Sequence, residues 1–173
     1  INDVFVQDSV AECIVKTNSG FKRTDPDTFT NYKSLKGKFS FDYPSAFVLD
    51  EKELGGDEII YHIDFSSKKY NSHGFIQVWN LTEPLDKFLE NAKSTAYQSF
   101  EYFHTKSVTI DNEPGFYWDY LMISKDNKKY KGSEVFYKKG DKMYRISYFV
   151  PNNKWNKNQE NIFWSMVNSF KTL

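Results

Sequence analysis

Hydrophobic and polar residues alternate with a period of two along most of the chain after residue 36. This alternation predicts strands, and the breaks between alternating runs are rich in Gly, Pro, Asn and Asp. Short polar breaks between most neighbouring runs predict antiparallel hairpins rather than parallel crossover units. The predicted strands read FSFDYP, IIYHIDFS, GFIQVWNL, FHTKSVTI, FYWDYLMIS, SEVFYKK and MYRISYFV.

Several of the predicted strands carry apolar groups on both faces. In IIYHIDFS, Tyr61 and Ile63 lie on one face and Ile60 lies on the other. A sheet with one solvated face would alternate more cleanly between apolar and polar residues. We therefore expect a single central sheet with both of its faces covered.

Two segments have their apolar residues at helical spacing. The first follows Thr82, a candidate N-cap, and Pro84, which a first helical turn tolerates. The second follows Pro151 and a polar spacer. Apolar stripes of this width predict helices packed on the sheet, and thus an α+β fold in which a central antiparallel sheet is flanked by helices, an α/β/α sandwich. The two stripes comprise Leu85, Phe88, Leu89, Ala92 and Ala96, and then Ile162, Phe163, Met166, Val167 and Phe170.

Residues 1–36 are predicted to be an N-terminal arm or helix packed on a domain that spans residues 37–173. Apolar residues from Val6 to Ile14 share a helical face, and the stretch TNSGFKRTDPDTFTNYKS reads as a loop. The chain begins with Ile1 rather than Met. We therefore expect that a secretion signal or a membrane anchor has been removed upstream.

The charge balance argues against nucleic-acid binding. Lysine and arginine together number 23, as do aspartate and glutamate, so the chain lacks the basic excess of a nucleic-acid binder. A local basic cluster at Lys125, Lys128, Lys129 and Lys131 falls in a predicted polar turn, where solvated charge is expected. The alternative reading of this cluster is an anionic-surface contact.

The aromatic content is high, at 18% of residues. Core filling is the first interpretation, and a stacking platform for sugars or bases is the alternative. The single cysteine, Cys13, allows no disulfide within the chain. No run of 18 apolar residues is present, so no transmembrane segment is predicted.

Two stretches of the sequence resemble the PsbP-like family. GKFSFDYPSAFVL resembles its entry strand of alternating aromatics ending in Tyr-Pro, and YRISYFVPNNKWNKNQENIFWSMVNSFKTL is similar to its closing strand, proline, spacer and helix ending in Ser-Phe. The helix with LDKFLENAK occupies the corresponding place between them. The resemblance covers residues 37–173.

This resemblance implies a fold shared by an extrinsic subunit of photosystem II and a yeast Ran-binding nucleotide-release factor. Members of the family are mostly accessory or binding proteins, and many bacterial relatives are secreted or lipid-anchored. The resemblance thus implies an extracytoplasmic bacterial protein that is not an enzyme. It supplies no catalytic residue to transfer, and no photosynthetic role is carried over.

Few residues are candidates for catalysis, metal binding or partner binding. His62 and Asp64 lie two apart on one strand face, which could orient an imidazole for metal binding or proton transfer, although a structural polar pair is the commoner arrangement. Trp155 lies in the polar spacer before the last helix, either as a binding anchor or as a staple onto the helix start. No motif for catalysis, a metal or a cofactor is present, so none of these is predicted.

Three functions remain open. The first is a non-catalytic binding or accessory protein with an unidentified protein or cell-surface partner. The second is a cryptic hydrolase-type enzyme with a site in a sheet cleft, built around His62 and Asp64. The third is a carrier of a small apolar ligand, with a hollow beneath Phe163 and Phe170.

Overall fold

A computed structural model describes residues 28–173 of the chain. The helical face predicted between Val6 and Ile14 lies outside these residues. No helix among the described residues is long and apolar enough to cross a membrane. The elements are β1 (Phe29–Ser34), β2 (Phe39–Pro44), β3 (Val48–Lys52), β4 (Ile59–Ser67), β5 (Ser72–Asn80), α1 (Leu85–Ser94), β6 (Ser99–Ile110), β7 (Glu113–Ile123), β8 (Lys129–Lys139), β9 (Lys142–Pro151), α2 (Lys157–Ser169) and β10 (Lys171–Thr172), with a 3-10 turn at Asn152–Lys154.

The strands of residues 28–173 form two sheets, and all strand pairings within each sheet are antiparallel. Seven strands make the large sheet in the order β3-β4-β5-β9-β8-β7-β6, and the small sheet has the order β1-β2-β10. The antiparallel prediction is confirmed, but the prediction of a single sheet is wrong. The chain leaves the small sheet at Pro44, where a tight turn closed by Phe47 N–H on the Pro44 carbonyl (2.9 Å) redirects it into β3.

Strand β1 is a second difference from the sequence analysis, which assigns this stretch to a loop. Phe29 pairs with Pro44, and Ser34 pairs with Phe39. Most β1 residues are exposed on both faces. The hydrophobic alternation that marks a strand is therefore absent, although Phe29 and Tyr32 are residue types that favour strands.

The β6–β7 connection uses a tighter turn than the sequence analysis predicts. The two turn residues are Asp111 and Asn112, both with positive φ (51° and 61°). Two successive residues of positive φ make the type of turn that matches the twist of a hairpin. Pro114 lies inside β7, just before the ladder with β8 begins at Gly115, where it withholds no ladder hydrogen bond from β8.

Helix α2 covers one core together with the small sheet. Phe163 and Met166 from α2 join Phe39 and Phe41 from β2 in a single cluster with one face of the large sheet. Asn156 caps the helix, because its side-chain oxygen accepts a hydrogen bond from the backbone N–H of Gln159 (3.1 Å). The predicted stripe of this helix is confirmed, because all of its members are buried: Ile162, Phe163, Met166, Val167 and Phe170.

Gln159 attaches the first turn of α2 to the large sheet. Its amide nitrogen donates to the Tyr70 carbonyl, and its carbonyl oxygen accepts from the Tyr148 hydroxyl, both at 2.5 Å. Gln159 and Tyr148 are buried. A buried amide with both ends paired fixes the position of the helix along the strand direction.

Helix α1 packs in a second core, on the opposite face of the large sheet. Phe88, Leu89 and Ala92 pack in a cluster with Trp79 and Trp118. The helix starts at Leu85 with Pro84 as its N-cap and no side-chain cap, so the predicted capping role of Thr82 is wrong. It ends at Ser94, and Ala96 therefore lies beyond the helix.

The two cores account for the apolar residues seen on both faces of the predicted strands. Along β9, Tyr144, Ile146 and Tyr148 belong to the first core, while Met143 and Phe149 belong to the second. The prediction of a two-sided antiparallel sheet is confirmed. Part of the cover on one face is the small sheet rather than a helix, because β2 contributes its aromatic side chains there.

An ion pair is buried on the face of the large sheet that carries the second core. Arg145 is 1% exposed and donates through Nε (2.9 Å) and Nη2 (2.6 Å) to Glu134 Oε1, which is 0% exposed. The Tyr120 hydroxyl donates to Glu134 Oε2 (2.9 Å), and the Ser147 hydroxyl donates to Oε1. Burial and the Glu134 carboxylate raise the pKa of Tyr120, which keeps the phenol protonated as a donor.

Aromatic rings enclose the charge of this pair. The Arg145 guanidinium lies 4.8 Å from the centroid of Phe75 and 5.4 Å from that of Phe136. Cation–π contact and the four donors to Glu134 offset the large cost of removing both charges from water. The pair therefore depends on both partners being present.

We predict that Phe170→Ala lowers the free energy of unfolding by about 3–5 kcal/mol. Phe170 is 1% exposed, with ring centroids of Phe39 at 5.1 Å and of Tyr137 and Tyr144 at 5.9 Å. Truncation leaves a cavity among rigid rings. Urea denaturation measures the loss, and Phe29→Ala, at a 39% exposed site, is the matched control with an expected cost below about 1 kcal/mol. Equal losses in the two variants would contradict the sealing role of Phe170.

We predict that Arg145→Met costs about 3–5 kcal/mol, because it leaves Glu134 buried without a counter-charge. The double variant Glu134→Gln/Arg145→Met should recover much of that loss, since the new side chain carries no charge and its one amide oxygen still accepts from the Tyr120 or the Ser147 hydroxyl. Denaturation of the three proteins tests this. A double variant no more stable than Arg145→Met would show that the charge is not the source of the cost.

Candidate functional site

His62 and Asp64, the first sequence candidates, lie together on β4. His62 Nε2 is 2.8 Å from Asp64 Oδ1, and Lys52 Nζ from β3 is 2.7 Å from Asp64 Oδ2. His62 is buried and its ring stacks on Phe75 at 5.4 Å. Burial raises the pKa of Asp64, but the hydrogen bonds from His62 and Lys52 outweigh it and hold that pKa below its usual value.

The chain of hydrogen bonds behind His62 fixes its tautomer. The Trp79 indole N–H can only donate, and it donates to Gln77 Oε1 at 2.8 Å. The Gln77 amide nitrogen, 3.0 Å from His62 Nδ1, is therefore the donor to that ring nitrogen. His62 Nδ1 is then the acceptor, and the Nε2 proton points at Asp64.

This arrangement leaves His62 without a free ring nitrogen. Metal binding or proton transfer through His62 would require one of its two hydrogen bonds to break. Among residues 28–173, no group of three or more His, Cys, Asp or Glu residues is placed to hold a metal ion. The geometry of the His62 and Asp64 pair suits a structural polar chain better than it suits a reaction centre.

His73 lies near this chain on β5. Its ring stacks on Phe149 at 5.2 Å, and the residue is only partly exposed. Burial lowers the pKa of His73 to about 4, an effect that the Asp64 carboxylate opposes. His73 is therefore neutral in the folded protein at neutral pH.

Trp155, the third sequence candidate, lies far along the chain from His62 and belongs to the other side of the sheet. It follows the 3-10 turn after β9 and packs, partly buried, against the first core. Its ring centroid is 5.0 Å from Lys131 Nζ. The structure thus brings His62 and Asp64 together, but it places Trp155 in a different cluster.

Lys131 is the residue that the sequence analysis misread. The predicted solvated turn extends only to Lys128, and Lys131 lies in β8, 6% exposed. Its ammonium is paired with the Asp119 carboxylate of β7 and lies 5.5 Å from the Tyr102 ring centroid of β6. Side-chain parity could have revealed this, because Lys131 shares a strand face with Val135 and Tyr137, which are buried in the first core.

We define the Lys131 site as Tyr102, Asp119, Lys131 and Trp155. The strand register explains how they meet. Lys131 pairs with Leu121 and Tyr102 also pairs with Leu121, so their side chains flank the same β7 position. Asp119, two residues from Leu121, points to the same face of β7.

Hydrogen-bonding capacity remains unused in the Lys131 site. An ammonium has three N–H donors, and Asp119 is the one anion that the structure pairs with Lys131. Neither Lys131 Nζ nor Asp119 Oδ1 has a hydrogen-bond partner beyond this ion pair among residues 28–173. Burial lowers the pKa of Lys131 to about 8, an effect that the Glu160 carboxylate opposes.

Residues of α2 and β7 extend the Lys131 site along one side. Tyr117 and Trp164 meet edge to face, with centroids 4.9 Å apart, and both are partly exposed. Glu160, one turn before Trp164, acts electrostatically on both Lys131 and Tyr117. Burial raises the pKa of Tyr117, which the Ser133 hydroxyl partly offsets. The result is a partly exposed band of four aromatic rings around a buried ion pair.

The described residues thus form an antiparallel α+β domain that carries aromatic rings beside a buried ion pair. A family model described as PsbP-like protein matches residues 9–172, and the chain therefore belongs to the PsbP-like protein family. This confirms the resemblance seen in the sequence.

Solved structures support the same fold. Cyanobacterial PsbP (CyanoP) from Synechocystis sp. PCC 6803 is similar with a TM-score of 0.62 and 12% identity, over 90% of this chain and 99% of that chain. A crystal structure from Bacteroides thetaiotaomicron VPI-5482 is similar with a TM-score of 0.53 and 16% identity, over 83% of this chain and 48% of that chain. At these identities the likeness shows the fold alone. No curated protein matches the chain.

We predict that His73 makes the folded protein less stable as the pH falls from 6.5 to about 4. In this window the unfolded chain binds a proton at residue 73 and the folded protein does not, so protonation favours unfolding. The contribution is at most about 3 kcal/mol. Denaturation at a series of pH values should show a shallower acid-side loss for His73→Gln than for the wild type.

The matched control is His104→Gln, which removes a histidine from the exposed strand β6. If His73→Gln loses stability over this window as steeply as the wild type, His73 is not held neutral by the fold.

Proposed function

We propose that this protein is a non-catalytic, extracytoplasmic accessory protein that binds its partner through the Lys131 site. Its membership of a family of accessory and extrinsic proteins supports the general role. The observation that carries the proposal is the composition of the site. Trp and Tyr side chains are enriched among the residues that carry most of the binding energy at protein interfaces.

The arrangement of the site favours binding over catalysis. Lys131 is held in an ion pair, and Asp119 is engaged by the same contact. On the opposite face, both nitrogens of His62 have partners. Catalysis by His62 would require a free lone pair or a mobile proton that its two hydrogen bonds already use.

A carrier function has less support from the packing. The rings of Tyr117 and Tyr148 lie 5.9 Å and 6.2 Å from Phe163, and the ring of Phe39 stacks on Phe170 at 5.1 Å. Aromatic side chains thus occupy the space beneath α2. We also propose that α1 and α2 act as the two outer layers of an α/β/α arrangement, since each contributes to a different core.

Location outside the cytoplasm is part of the same proposal, and it rests on the family relationship. Fractionation of the native cells, with protease protection, tests it directly. A protein found in the cytoplasmic fraction and protected there would overturn the location.

We predict that Trp155→Ala weakens capture of the native partner at least tenfold, because it removes one ring over the Lys131 ammonium and exposes the ion pair to water. The full chain, immobilised, is presented to extracts of its native cells, and the captured species are quantified against bait concentration. Lys131→Met is the second variant, and a melting curve of each bait shows that it is folded.

Tyr97→Ala is the matched control, because Tyr97 is 66% exposed and lies between α1 and β6. Capture should be unchanged in this variant. If folded Trp155→Ala and Lys131→Met capture the same species as the wild type, with equal affinity, the Lys131 site is not the binding surface.

A further inference from the structure

We propose that residues 1–27, which precede the described part of the chain, pack on one corner of the large sheet, on the face that carries the second core. This inference is independent of the proposed function, because the Lys131 site lies on the face of the first core. Three observations support it: the partial cover of the second face, the place where the described residues start, and the apolar pattern of the preceding segment.

One row of paired residues defines this corner of the sheet. Val48 of β3 pairs with Ser66 of β4, which pairs with His73 of β5. His73 in turn pairs with Phe149 of β9. Directly paired residues send their side chains to the same face, and Phe149 belongs to the second core. We define the Val48 corner as Val48, Ser66, His73 and Phe149.

Helix α1 lies over a different part of the same face. Phe88 meets the Trp79 ring at 5.4 Å, and Lys93 Nζ lies 4.6 Å from the Phe103 ring centroid. Trp79 is at the other end of β5 from the Val48 corner, and Phe103 belongs to β6 at the far edge of the sheet. A helix of 10 residues is about 15 Å long, whereas a sheet of seven strands is about 29 Å wide. Helix α1 therefore covers a diagonal strip that leaves the Val48 corner aside.

The inner part of the Val48 corner is nevertheless buried. Phe149 is 1% exposed, and the His73 ring stacks on it at 5.2 Å. Burial also lowers the pKa of His73, so its imidazole is largely removed from water. A sheet face is buried where a second layer packs on it, and α2 belongs to the first core. A layer other than the two helices of the described residues therefore covers this corner.

The described residues start beside the Val48 corner. The Thr28 carbonyl accepts a hydrogen bond from the Ser45 N–H at 2.8 Å. Ser45 lies three residues before Val48, at most about 11 Å away along the chain. Phe149 lies three strands further across the sheet, or about 14 Å from Val48. The segment that precedes Thr28 therefore joins the domain at the edge of the corner that needs cover.

The sequence of the segment fits this position. One helical face is shared by its apolar residues Val6, Val10, Cys13 and Ile14. A helix over residues 6–14 would be about 14 Å long, which matches the distance from Val48 to Phe149. Residues 15–27 then suffice to connect it to Thr28. The family model matches from residue 9, so most of the segment belongs to the region that the family shares.

Cys13 is the only cysteine of the chain and serves as a native reporter. The full chain is mixed with a chromogenic thiol reagent, and the reaction is followed in buffer and in urea. We expect the reaction in buffer to be slower by about tenfold or more, because Cys13 lies on the packed face of the segment. A thiol that reacts as fast in buffer as in urea would overturn the inference.

The variant Val48→Asp separates this corner from other surfaces. Val48 is 44% exposed, so the sheet tolerates a charge there, while an apolar segment packed beside it does not. We expect Cys13 to react faster by about tenfold in this variant. Leu35→Asp is the matched control, because Leu35 is 78% exposed in the turn between β1 and β2, and it should leave the rate unchanged. Melting curves show that both variants are folded, and equal rates in folded Val48→Asp and the wild type would contradict the placement.

NMR of the full chain locates the segment directly. We expect nuclear Overhauser contacts from the methyl groups of Val10 or Ile14 to the rings of His73 or Phe149. Contacts of these methyl groups with residues of the first core, or none with the second face, would show that the segment lies elsewhere. Neither result depends on partner capture, so the proposed function and this inference fail separately.

Discussion

Seven strands send their side chains into two separate cores, so a residue near the middle of the large sheet is buried whichever way it points. This two-sided burial is the constraint on which the rest of the structure depends. It requires aromatic volume on both faces, and it allows a polar side chain only where a neighbouring strand offers a partner. The register of the hairpins decides which partners meet.

Two ion pairs show the same constraint with opposite outcomes. Glu134 and Arg145 lie in the middle of the sheet, closed off by rings and by the hydroxyls of Tyr120 and Ser147. Lys131 and Asp119 lie nearer the outer strand, where the Asp119 side chain is 32% exposed. Both carboxylate oxygens of Glu134 in the inner pair accept hydrogen bonds within the protein, which suits a structural role. The outer pair lies beside partly exposed rings, and this surface is the one proposed for binding.

Much of the fold could be predicted from the sequence, because its strands and hairpins are encoded locally. Period-two alternation gave β4 to β9, and the spacing of Ile162 to Phe170 gave α2. The split into two sheets could not be predicted, since it depends on which distant strands pair after Pro44. Strand β1 was missed because its exposed residues lack alternation.

The candidate site was harder to predict than the fold. Trp155 drew attention as an aromatic residue in a polar spacer, but its partner Lys131 is one lysine among several in a polar stretch. Lys131 is buried because β8 already begins at Lys129. Polar residues on both sides of Lys129 make this strand boundary hard to recognise in the sequence. Asp119 is separated from Lys131 by a hairpin, so only the strand register shows that they meet.

The central claim is that Lys131 is held beneath the rings of Tyr102 and Trp155 instead of extending into solvent. NMR of the Lys131 side chain measures this directly, because ring currents shift protons that lie over aromatic faces. The account predicts upfield-shifted ε-methylene protons with nuclear Overhauser contacts to both rings. Shifts of an ordinary solvated lysine, with no contact to the Trp155 indole, would contradict it.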